Sequence, residues 1–371
     1  MKDVFQSALE MMESGEQAAL STIVSGKGSL PMSKKVKMLV RPDGKIIGTV
    51  GGGCLEADVW AEARQVMETG DPTLQRFILT EKHAGEFGLN CGGNVEIFTE
   101  PLYPGKVDEM LKAIAEIQSE FGSALLATMV SGGDQVCAKL LIRDDGFTVG
   151  TLGYPQADEE VMAEFKAMNS IPESLLKVIE MTVDAQGREE EIKVFIESIC
   201  PEPTLYLFGG GHVSFAIAQI ASTVGFRIVV IDDRPMFANS ERYPMAEETL
   251  TLDMETAFEH LDIDDRSYIV AVTRGHQHDR PIIEQAVETD AAYIGMIGSR
   301  RKVALMWKEL EAKGIPAERL KAVHAPIGLA IGADNPEEIA VSIVSELIQE
   351  RRARGKPAHE VLSLSHVAEN I

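Results

Sequence analysis

Residues 205–234, LYLFGGGHVSFAIAQIASTVGFRIVVIDDR, determine the fold of the C-terminal half of the chain. An apolar run of strand length leads into three glycines, a segment of helix length follows, and a second apolar run ends on two aspartates. This order predicts a βαβ unit with a tight glycine turn between its first strand and its helix. Strand and helix patterns alternate up to residue 354. We therefore predict a Rossmann-like, doubly wound parallel sheet.

The glycine turn matches most of the dinucleotide-binding fingerprint. Its first two glycine positions are filled, but a serine stands at the third and a histidine crowds the turn. Glycines let a phosphate approach the helix N-terminus, and a carboxylate at the end of the second strand can bind ribose hydroxyls. The turn predicts a nucleotide-like ligand; a unit that keeps the turn and binds no nucleotide is the alternative. The candidate residues are Gly209, Gly211, His212, Asp232, Asp233 and Arg234.

A second candidate segment, TRGHQHD at residues 273–279, follows a later predicted strand. Open α/β sheets place their ligands at this edge. Histidines and a carboxylate can bind a metal, transfer protons or cap the next helix, whose start we expect at Pro281. Two histidines and an aspartate in four residues exceed what capping needs, which favours a functional role. The candidates are His276, His278 and Asp279.

Basic residues mark a third segment, IGSRRK at residues 297–302, after the next predicted strand. A glycine and a serine open a helix whose first turn carries two arginines and a lysine. Cations at a helix start oppose the helix dipole, so an anionic ligand would relieve the conflict; a solvated face paired with acids is the alternative. The candidates are Gly298, Ser299, Arg300 and Arg301. The segment HAPIGL, residues 324–329, lies at the same predicted edge.

The N-terminal half contains an internal repeat. Residues 37–51, KMLVRPDGKIIGTVG, and 139–153, KLLIRDDGFTVGTLG, are identical at eight of fifteen positions. The runs before them, residues 19–26 and 125–132, also match in kind. Two matches in the same order predict a duplicated, β-rich α+β domain.

The first repeat differs from the second where chemistry is expected. After Gly51 it continues into two further glycines and a cysteine, whereas after Gly153 the second repeat continues Tyr154-Pro155. Backbone N–H groups of a glycine-rich helix start can bind an anion, and such geometry favours a thiolate. A second cysteine followed by two glycines precedes the strand pattern NVEIF. We predict that both cysteines are functional thiols and metal-ligand candidates rather than core residues.

The candidates of this half are Gly51, Gly52, Gly53, Cys54, Glu56, Cys91, Gly92 and Gly93, with Cys54 and Cys91 as the metal ligands. We expect Cys137 and Cys200, which lie in or beside strand patterns, to be ordinary core residues.

Length and composition suit two domains, because 371 residues with 45% hydrophobic content exceed one ordinary core. We place the first domain at residues 1–200 and the second at 204–371, on either side of the segment CPEPT. A net charge of −23 disfavours nucleic acid. The apolar runs are too short for a membrane helix, the N-terminus lacks a signal-peptide core, and the four cysteines form no CxxC pair. We expect a cytoplasmic homodimer with reduced thiols and no membrane partner.

These motifs resemble the XdhC/CoxI family, the accessory proteins that mature xanthine dehydrogenase and related molybdenum hydroxylases. The resemblance is carried by residues 28–31, 37–59, 91–98, 207–213, 225–244, 273–276, 293–302 and 324–343. Met32, Lys35 and Val36 depart from the family's pattern, in which arginine follows GSxP and Gly-Ala precedes KML.

The resemblance implies a non-enzymatic accessory protein that binds the molybdenum cofactor. It implies that the protein holds the cofactor while a cysteine desulfurase-type sulfurase adds a sulfido ligand, and then inserts it into a xanthine dehydrogenase-type hydroxylase. Two alternatives stay open. The Rossmann unit alone suggests an NAD(P)-dependent oxidoreductase, and a docking scaffold with vestigial nucleotide binding is the other.

Overall fold

The structure is a computed structural model, and the residues it describes are 4–27, 36–78, 93–103, 109–119, 122–168, 171–172, 175–185, 187–274 and 276–353. The chain forms two compact units, Met1–Pro201 and Glu202–Ile371. The first unit contains antiparallel sheets and the second a parallel sheet. The predicted fold class, a β-rich α+β domain followed by a Rossmann-like domain, is confirmed.

The first unit contains two five-stranded sheets. Its elements are α1 (Val4–Glu13), β1 (Ala18–Lys27), β2 (Lys37–Val40), β3 (Ile46–Gly48), α2 (Gly53–Thr69), β4 (Thr73–Ile78), β5 (Asn94–Leu102), α3 (Glu109–Ser119), β6 (Ala124–Ser131), β7 (Lys139–Arg143), β8 (Thr148–Thr151), α4 (Pro155–Lys166), β9 (Leu176–Asp184) and β10 (Glu189–Ile199). The strand orders are β3-β2-β1-β5-β4 and β8-β7-β6-β10-β9, so the two sheets have the same topology. The sequence repeat forms the hairpins β2–β3 and β7–β8.

The second unit is built on one parallel sheet of order β13-β12-β11-β14-β15. Its elements are β11 (Thr204–Phe208), α5 (His212–Thr223), β12 (Arg227–Asp232), β13 (Glu248–Thr251), a 3₁₀ turn (Ala257–His260), β14 (Ser267–Ala271), α6 (His276–Ala286), β15 (Tyr293–Met296), α7 (Arg300–Ala312), α8 (Ala317–Lys321) and α9 (Pro336–Ala353). One face of the sheet packs against α5 and α9, and the other against α6 and α7. The strand order reverses between β11 and β14, and such sheets bind ligands at this crevice.

Helix α6 begins at His276, so the predicted start at Pro281 was wrong. Proline favours the first turn of a helix, but Pro281 lies inside α6. The turn before it is held by Asp279, which accepts a hydrogen bond of 2.5 Å from the Thr273 hydroxyl and pairs with the Lys302 ammonium.

In the described part of the chain, no helix is long and apolar enough to cross a membrane.

Equivalent positions of β3 and β8 require glycine because the backbone of the neighbouring strand lies very close there. Gly48 and Gly150 have φ of 81° and 79°. A Cβ atom would lie 2.2 Å from the Lys37 carbonyl oxygen at Gly48, and 2.3 Å from the Lys139 carbonyl oxygen at Gly150. The repeat keeps glycine at both positions because both the backbone conformation and the space exclude a side chain.

Crossed ion pairs join the two sheets of the first unit. Lys37 and Lys139 occupy equivalent positions in β2 and β7, and each binds a glutamate of the other sheet. Lys37 Nζ lies 2.7 Å from Glu197 Oε1, and Lys139 pairs with Glu100. All four side chains are at most 13% exposed. A buried charge that loses its partner is costly, so these pairs fix how the two sheets face each other.

We predict that Lys37→Met lowers the free energy of unfolding by about 3–5 kcal/mol, because it leaves the Glu197 carboxylate buried without its partner. The double variant Lys37→Met/Glu197→Met should recover most of that loss, since no charge then stays buried. Lys45→Met, which removes an exposed partner of Asp43, serves as the control and should cost less than about 1 kcal/mol. Urea denaturation of the three variants measures this, and equal losses for Lys37→Met and Lys45→Met would contradict the prediction.

Candidate functional site

The glycine–cysteine turn of the first unit leads into helix α2. Gly51, Gly52 and Gly53 have φ of 127°, 74° and 64°, a region that favours glycine. Added Cβ atoms at Gly52 and Gly53 would meet no atom within 4 Å, so the space beside the turn is open. Cys54 is the second residue of α2, and its free thiol is partly exposed. The turn thus presents a thiol beside unhindered backbone.

Glu56 closes one side of this turn. Its Oε2 accepts hydrogen bonds from the Thr49 hydroxyl at 2.6 Å and from the Gly52 N–H at 3.0 Å. The Thr49 oxygen in turn accepts the Gly51 N–H at 3.1 Å. The structure therefore uses the Gly52 N–H internally, while the N–H groups of Gly53 and Cys54 have no hydrogen-bond partner among the described residues. Thr49 was missed at the sequence level, although its spacing of seven residues from Glu56 recurs in the second repeat.

The second repeat has an equivalent turn, but it is closed because Tyr154 and Pro155 stand where the first repeat has two glycines. Thr151 donates to Asp158 at 2.5 Å, as Thr49 does to Glu56. There, however, the helix begins with Tyr154 as its N-cap and Pro155 as its first residue. Proline has no N–H, and the buried Tyr154 side chain donates to Glu190 at 3.3 Å. The Thr–acid contact is thus common scaffold, whereas Gly52, the Gly53 N–H and the Cys54 thiol have no counterpart in the second repeat.

The turn lies at the end of the first sheet where β5 begins. Strands β1 and β3 run in the same direction, so the turn after β3 and the end of β1 at Lys27 share one end of the sheet. Lys27 pairs with Asn94, the first residue of β5, and the buried Gly93 directly precedes it. Val36 directly precedes β2. The candidates Cys91 and Gly92, and the departures Met32 and Lys35, lie outside the described residues.

Cys137 has a different environment from Cys54. Burial, followed by the nearby Glu100 charge, raises the pKa of the Cys137 thiol to about 12. The thiol packs beside an apolar cluster that includes Phe98 and Phe195. A thiol with this pKa stays protonated at neutral pH and is a poor nucleophile or metal ligand.

The glycine turn of the second unit lies at the carboxyl end of β11. An added Cβ at Gly209 would lie 2.8 Å from the Val272 carbonyl oxygen, and one at Gly210 would lie 2.2 Å from the Phe237 carbonyl oxygen. A Cβ at Gly211 would meet nothing within 4 Å. Close packing therefore requires the first two glycines, while the space at Gly211, where α5 begins, is open to a ligand.

The predicted ribose-binding carboxylate, Asp232, is buried. Its oxygens bind the Gly210 N–H at 2.7 Å and the Arg234 guanidinium at 2.8 Å. Burial acts to raise the pKa of Asp232, but the hydrogen bonds from Arg234 and Gly210 outweigh it and hold the pKa below its ordinary value. The neighbouring Asp233 is more exposed and pairs with Arg274 at 2.9 Å.

Three residues that contact the turn were missed in the sequence. Arg242 Nε donates to the Gly210 carbonyl oxygen and the Tyr243 hydroxyl to the Gly211 carbonyl oxygen, each at 3.2 Å. Phe237 packs against Gly210. These residues lie in the loop after β12. No local sequence pattern predicts that this loop contacts the glycine turn.

A buried ion pair joins the two later candidate segments. Asp279 is fully buried and pairs with Lys302, which also donates to the Ile297 carbonyl oxygen at 3.4 Å. This places the start of α6, with His276 and the partly exposed His278, beside the start of α7. Because Asp279 already binds Lys302 and Thr273, its role here is positioning. The described residues contain no group of three or more His, Cys, Asp or Glu side chains that could hold a metal.

The start of α7 remains open to an anion. The Ser299 hydroxyl caps the helix by accepting the Lys302 N–H at 3.3 Å, and Gly298 packs against the Lys302 side chain. Arg300 and Arg301 are exposed and have no acidic partner among the described residues. Two unpaired cations at this point favour an anionic ligand over a paired, solvated face.

The segment at 324–329 contains a buried acid–histidine pair. Glu346 of α9 binds His324 Nδ1 at 2.8 Å, the Tyr293 hydroxyl at 2.5 Å and the Gly328 N–H at 2.8 Å. The hydrogen bond that His324 donates to Glu346 raises the pKa of His324 despite partial burial. Burial opposes ionisation of Glu346, but His324 and Tyr293 outweigh it and lower its pKa. The sequence indicated His324 but not Glu346, which is 22 residues further on.

An open glycine–thiol turn on a duplicated α+β domain and a glycine turn on a Rossmann-like domain define the class: a two-domain α/β protein with an open glycine turn in each domain. A family model described as the XdhC Rossmann domain matches residues 205–347, and one described as the XdhC and CoxI family matches residues 11–77. The chain belongs to the XdhC/CoxI family.

Relatives of full length share this family. A protein of Bacillus subtilis (strain 168), described as a probable component of xanthine dehydrogenase, is 28% identical over 356 residues, which cover 92% of this chain and 96% of that protein. The molybdenum cofactor insertion chaperone PaoD of Escherichia coli (strain K12) is 22% identical over 352 residues, 94% of this chain and 88% of that protein. A crystal structure described as a xanthine dehydrogenase from Bacillus halodurans has a TM-score of 0.76 at 24% identity, over 96% of this chain and 99% of that one. This last likeness shows the fold.

The His324–Glu346 pair predicts a pH-dependent free energy of unfolding. Because folding raises the pKa of His324 above 6.5, its stabilising contribution is complete below that value and is lost as the pH rises through the folded pKa. Because folding lowers the pKa of Glu346 below 4.5, its contribution is lost as the pH falls through that lowered value.

We therefore expect His324→Gln to be most destabilising between about pH 5 and pH 6.5, and to approach the wild type in alkaline solution. Urea denaturation across this pH range measures the difference. The exposed His260 supplies the control variant His260→Gln, whose effect should be small at every pH. A difference between His324→Gln and the wild type that stays constant with pH would rule the assignment out.

Proposed function

We propose that this protein is a maturation factor that binds a molybdenum cofactor, holds it for sulfuration and delivers it to a xanthine dehydrogenase-type hydroxylase. The observation that carries the proposal is the difference between the two repeats. One fold occurs twice in the first unit, and only the first copy opens its turn and places a cysteine there. Divergence at one position of a shared scaffold is expected when that position acquires a ligand.

The residues present fit a molybdenum cofactor by their chemistry. Thiolates bind soft metals and sulfur-rich centres, and Cys54 is a partly exposed free thiol. The unpaired N–H groups of Gly53 and Cys54 can donate to an anionic oxygen beside it. Once bound, the cofactor supplies the molybdenum centre that the target hydroxylase uses for its chemistry. Cys54 and the Gly53 N–H then hold and orient the cofactor. The Thr49–Glu56 contact keeps the turn in shape.

The second unit supplies donors that suit a phosphate group. The N-terminus of α5 is open at Gly211, and α7 begins beside Arg300 and Arg301. Helix N-termini and arginine side chains are common phosphate ligands in proteins. We propose that they bind a phosphate-bearing ligand, with His212, His276 and His278 at the same edge of the sheet.

Relatives support the partners that we propose. One relative is described as a probable part of xanthine dehydrogenase, and another as a molybdenum cofactor insertion chaperone. A hydroxylase of the xanthine dehydrogenase type would receive the cofactor, and a cysteine desulfurase-type sulfurase would provide the sulfur. We propose a cytoplasmic homodimer, in which the free thiols of Cys54 and Cys137 suit a reducing compartment.

An oxidoreductase would have to use the same Rossmann-like unit for a nicotinamide dinucleotide. Its expected ribose ligand, Asp232, is already engaged by Arg234 and Gly210. A docking scaffold, the other alternative, would bind neither ligand. Analysis of the ligand that copurifies separates the three, since an oxidisable pterin supports maturation and bound nicotinamide supports the oxidoreductase.

We predict that Cys54→Ser lowers molybdenum and pterin retention at least about tenfold, while the fold stays intact, because the metal loses its soft ligand. Cys137→Ser is the control, since that thiol stays protonated and should not bind the metal. Elemental analysis and pterin fluorescence after oxidation measure retention in the purified proteins. Equal retention by folded Cys54→Ser and the wild type would refute the proposed role.

A repeat-swap variant tests the turn itself. Gly52→Tyr/Gly53→Pro/Cys54→Gln gives the first repeat the closed turn of the second, in which proline removes a free N–H. We expect this variant to fold, as the second repeat does, and to lose the cofactor as fully as Cys54→Ser.

A further inference from the structure

The carboxylate at the end of β12 has no free acceptor position. Asp232 is 2% exposed, and its oxygens accept four hydrogen bonds. Oδ1 binds the Arg234 N–H at 3.1 Å and Arg234 Nε at 2.8 Å, while Oδ2 binds the Gly210 N–H at 2.7 Å and Arg234 Nη2 at 3.1 Å. A carboxylate offers about four acceptor positions, so this one is saturated. In Rossmann-type domains the equivalent carboxylate binds the ribose hydroxyls of the dinucleotide.

Arg234 supplies three of those four hydrogen bonds, and its side chain is held in place. Its guanidinium lies 3.7 Å from the centre of the Phe237 ring. The Phe237 backbone in turn packs against Gly210, where an added Cβ would lie 2.2 Å from the Phe237 carbonyl oxygen. Arg242 and Tyr243 fasten the same loop to the turn through the Gly210 and Gly211 carbonyl oxygens. The loop after β12 therefore keeps Arg234 on Asp232.

We propose that Arg234 is a specificity-determining residue that occupies the ribose subsite and makes this unit reject NADH, whose ribose diol needs a free carboxylate. The guanidinium and the backbone N–H of Arg234 take the acceptor positions that a ribose diol needs. The diol would have to displace a charge-assisted, multiply bonded contact, which is stronger than the neutral hydrogen bonds it offers. The inference rests on the geometry of the second unit and stands whether or not the chain binds a molybdenum cofactor.

A second Asp-Asp-Arg sequence in the same unit provides a matched control. In residues 264–266, Arg266 binds Asp264 through its N–H at 3.0 Å, its Nε at 3.2 Å and its Nη2 at 3.0 Å. This motif directly precedes β14, so it lies at the amino edge of the sheet, away from the glycine turn. The variant Arg266→Ala removes the same kind of contact without opening the ribose subsite.

The test is a titration of the full-length protein with NADH, followed by nucleotide fluorescence and by calorimetry. The wild type and Arg266→Ala should show no saturable NADH binding. Arg234→Ala should gain saturable NADH binding, at least about tenfold tighter than any residual wild-type binding, because the two acceptor positions that Nε and Nη2 occupy on Asp232 become free. Arg234→Met, which keeps the bulk of the side chain but has no donor, should show the same gain and guards against collapse of the loop.

Saturable binding of NADH by the wild type would overturn the proposal, and so would the absence of any gain in both Arg234 variants when circular dichroism shows them folded. A gain in Arg266→Ala equal to that in Arg234→Ala would also contradict it. Molybdenum and pterin retention is measured separately on the wild type, so failure of the proposed function and failure of this inference are distinguishable.

Discussion

The first N–H groups of a helix have no partner inside that helix, and the chain satisfies this constraint differently at each of its turns. At the start of α4, Pro155 has no N–H, and the Tyr154 carbonyl oxygen accepts the N–H groups of Ala157 and Asp158. At α7 the Ser299 hydroxyl serves as a cap. At α2 Glu56 takes only the Gly52 N–H, and at α5 no side chain of the described residues caps the helix. Of these four starts, those of α2 and α5 follow glycine-rich turns with open space beside Gly52, Gly53 and Gly211, and we propose that both turns bind ligands.

Duplication explains how the first unit could open one turn and remain stable. The two sheets have the same strand order, and the crossed pairs of Lys37 with Glu197 and Lys139 with Glu100 join them through a largely apolar interior. None of these contacts involves the turn before α2. The pairs that join the two sheets therefore do not depend on residues 52–54, and we propose that Gly53 and Cys54 serve a ligand.

Sequence patterns predicted the features that depend on neighbours along the chain. The βαβ unit, the internal repeat and the parallel sheet all follow from local order, and they are present. The hydrogen bonds between Arg234 and Asp232 were not predicted, although the two residues are only two positions apart. When an arginine follows an acid at the end of a strand, the carboxylate can either stay free or bind that arginine, and the sequence pattern is the same in both cases. The contacts of Glu346 with His324 and of Tyr243 with Gly211 depend on tertiary packing, which no local pattern encodes. The helix start at Pro281 was wrong for the same reason, since the buried Asp279–Lys302 pair extends α6 backwards.

We propose that Cys54 is a ligand of molybdenum in the protein–cofactor complex. X-ray absorption at the molybdenum K-edge counts the sulfur atoms around the metal in the wild type and in Cys54→Ser loaded with the same cofactor. We expect the serine variant to lose one sulfur neighbour, with an oxygen or nitrogen in its place or an empty position. An identical sulfur shell in both proteins, with the cofactor fully bound, would contradict it.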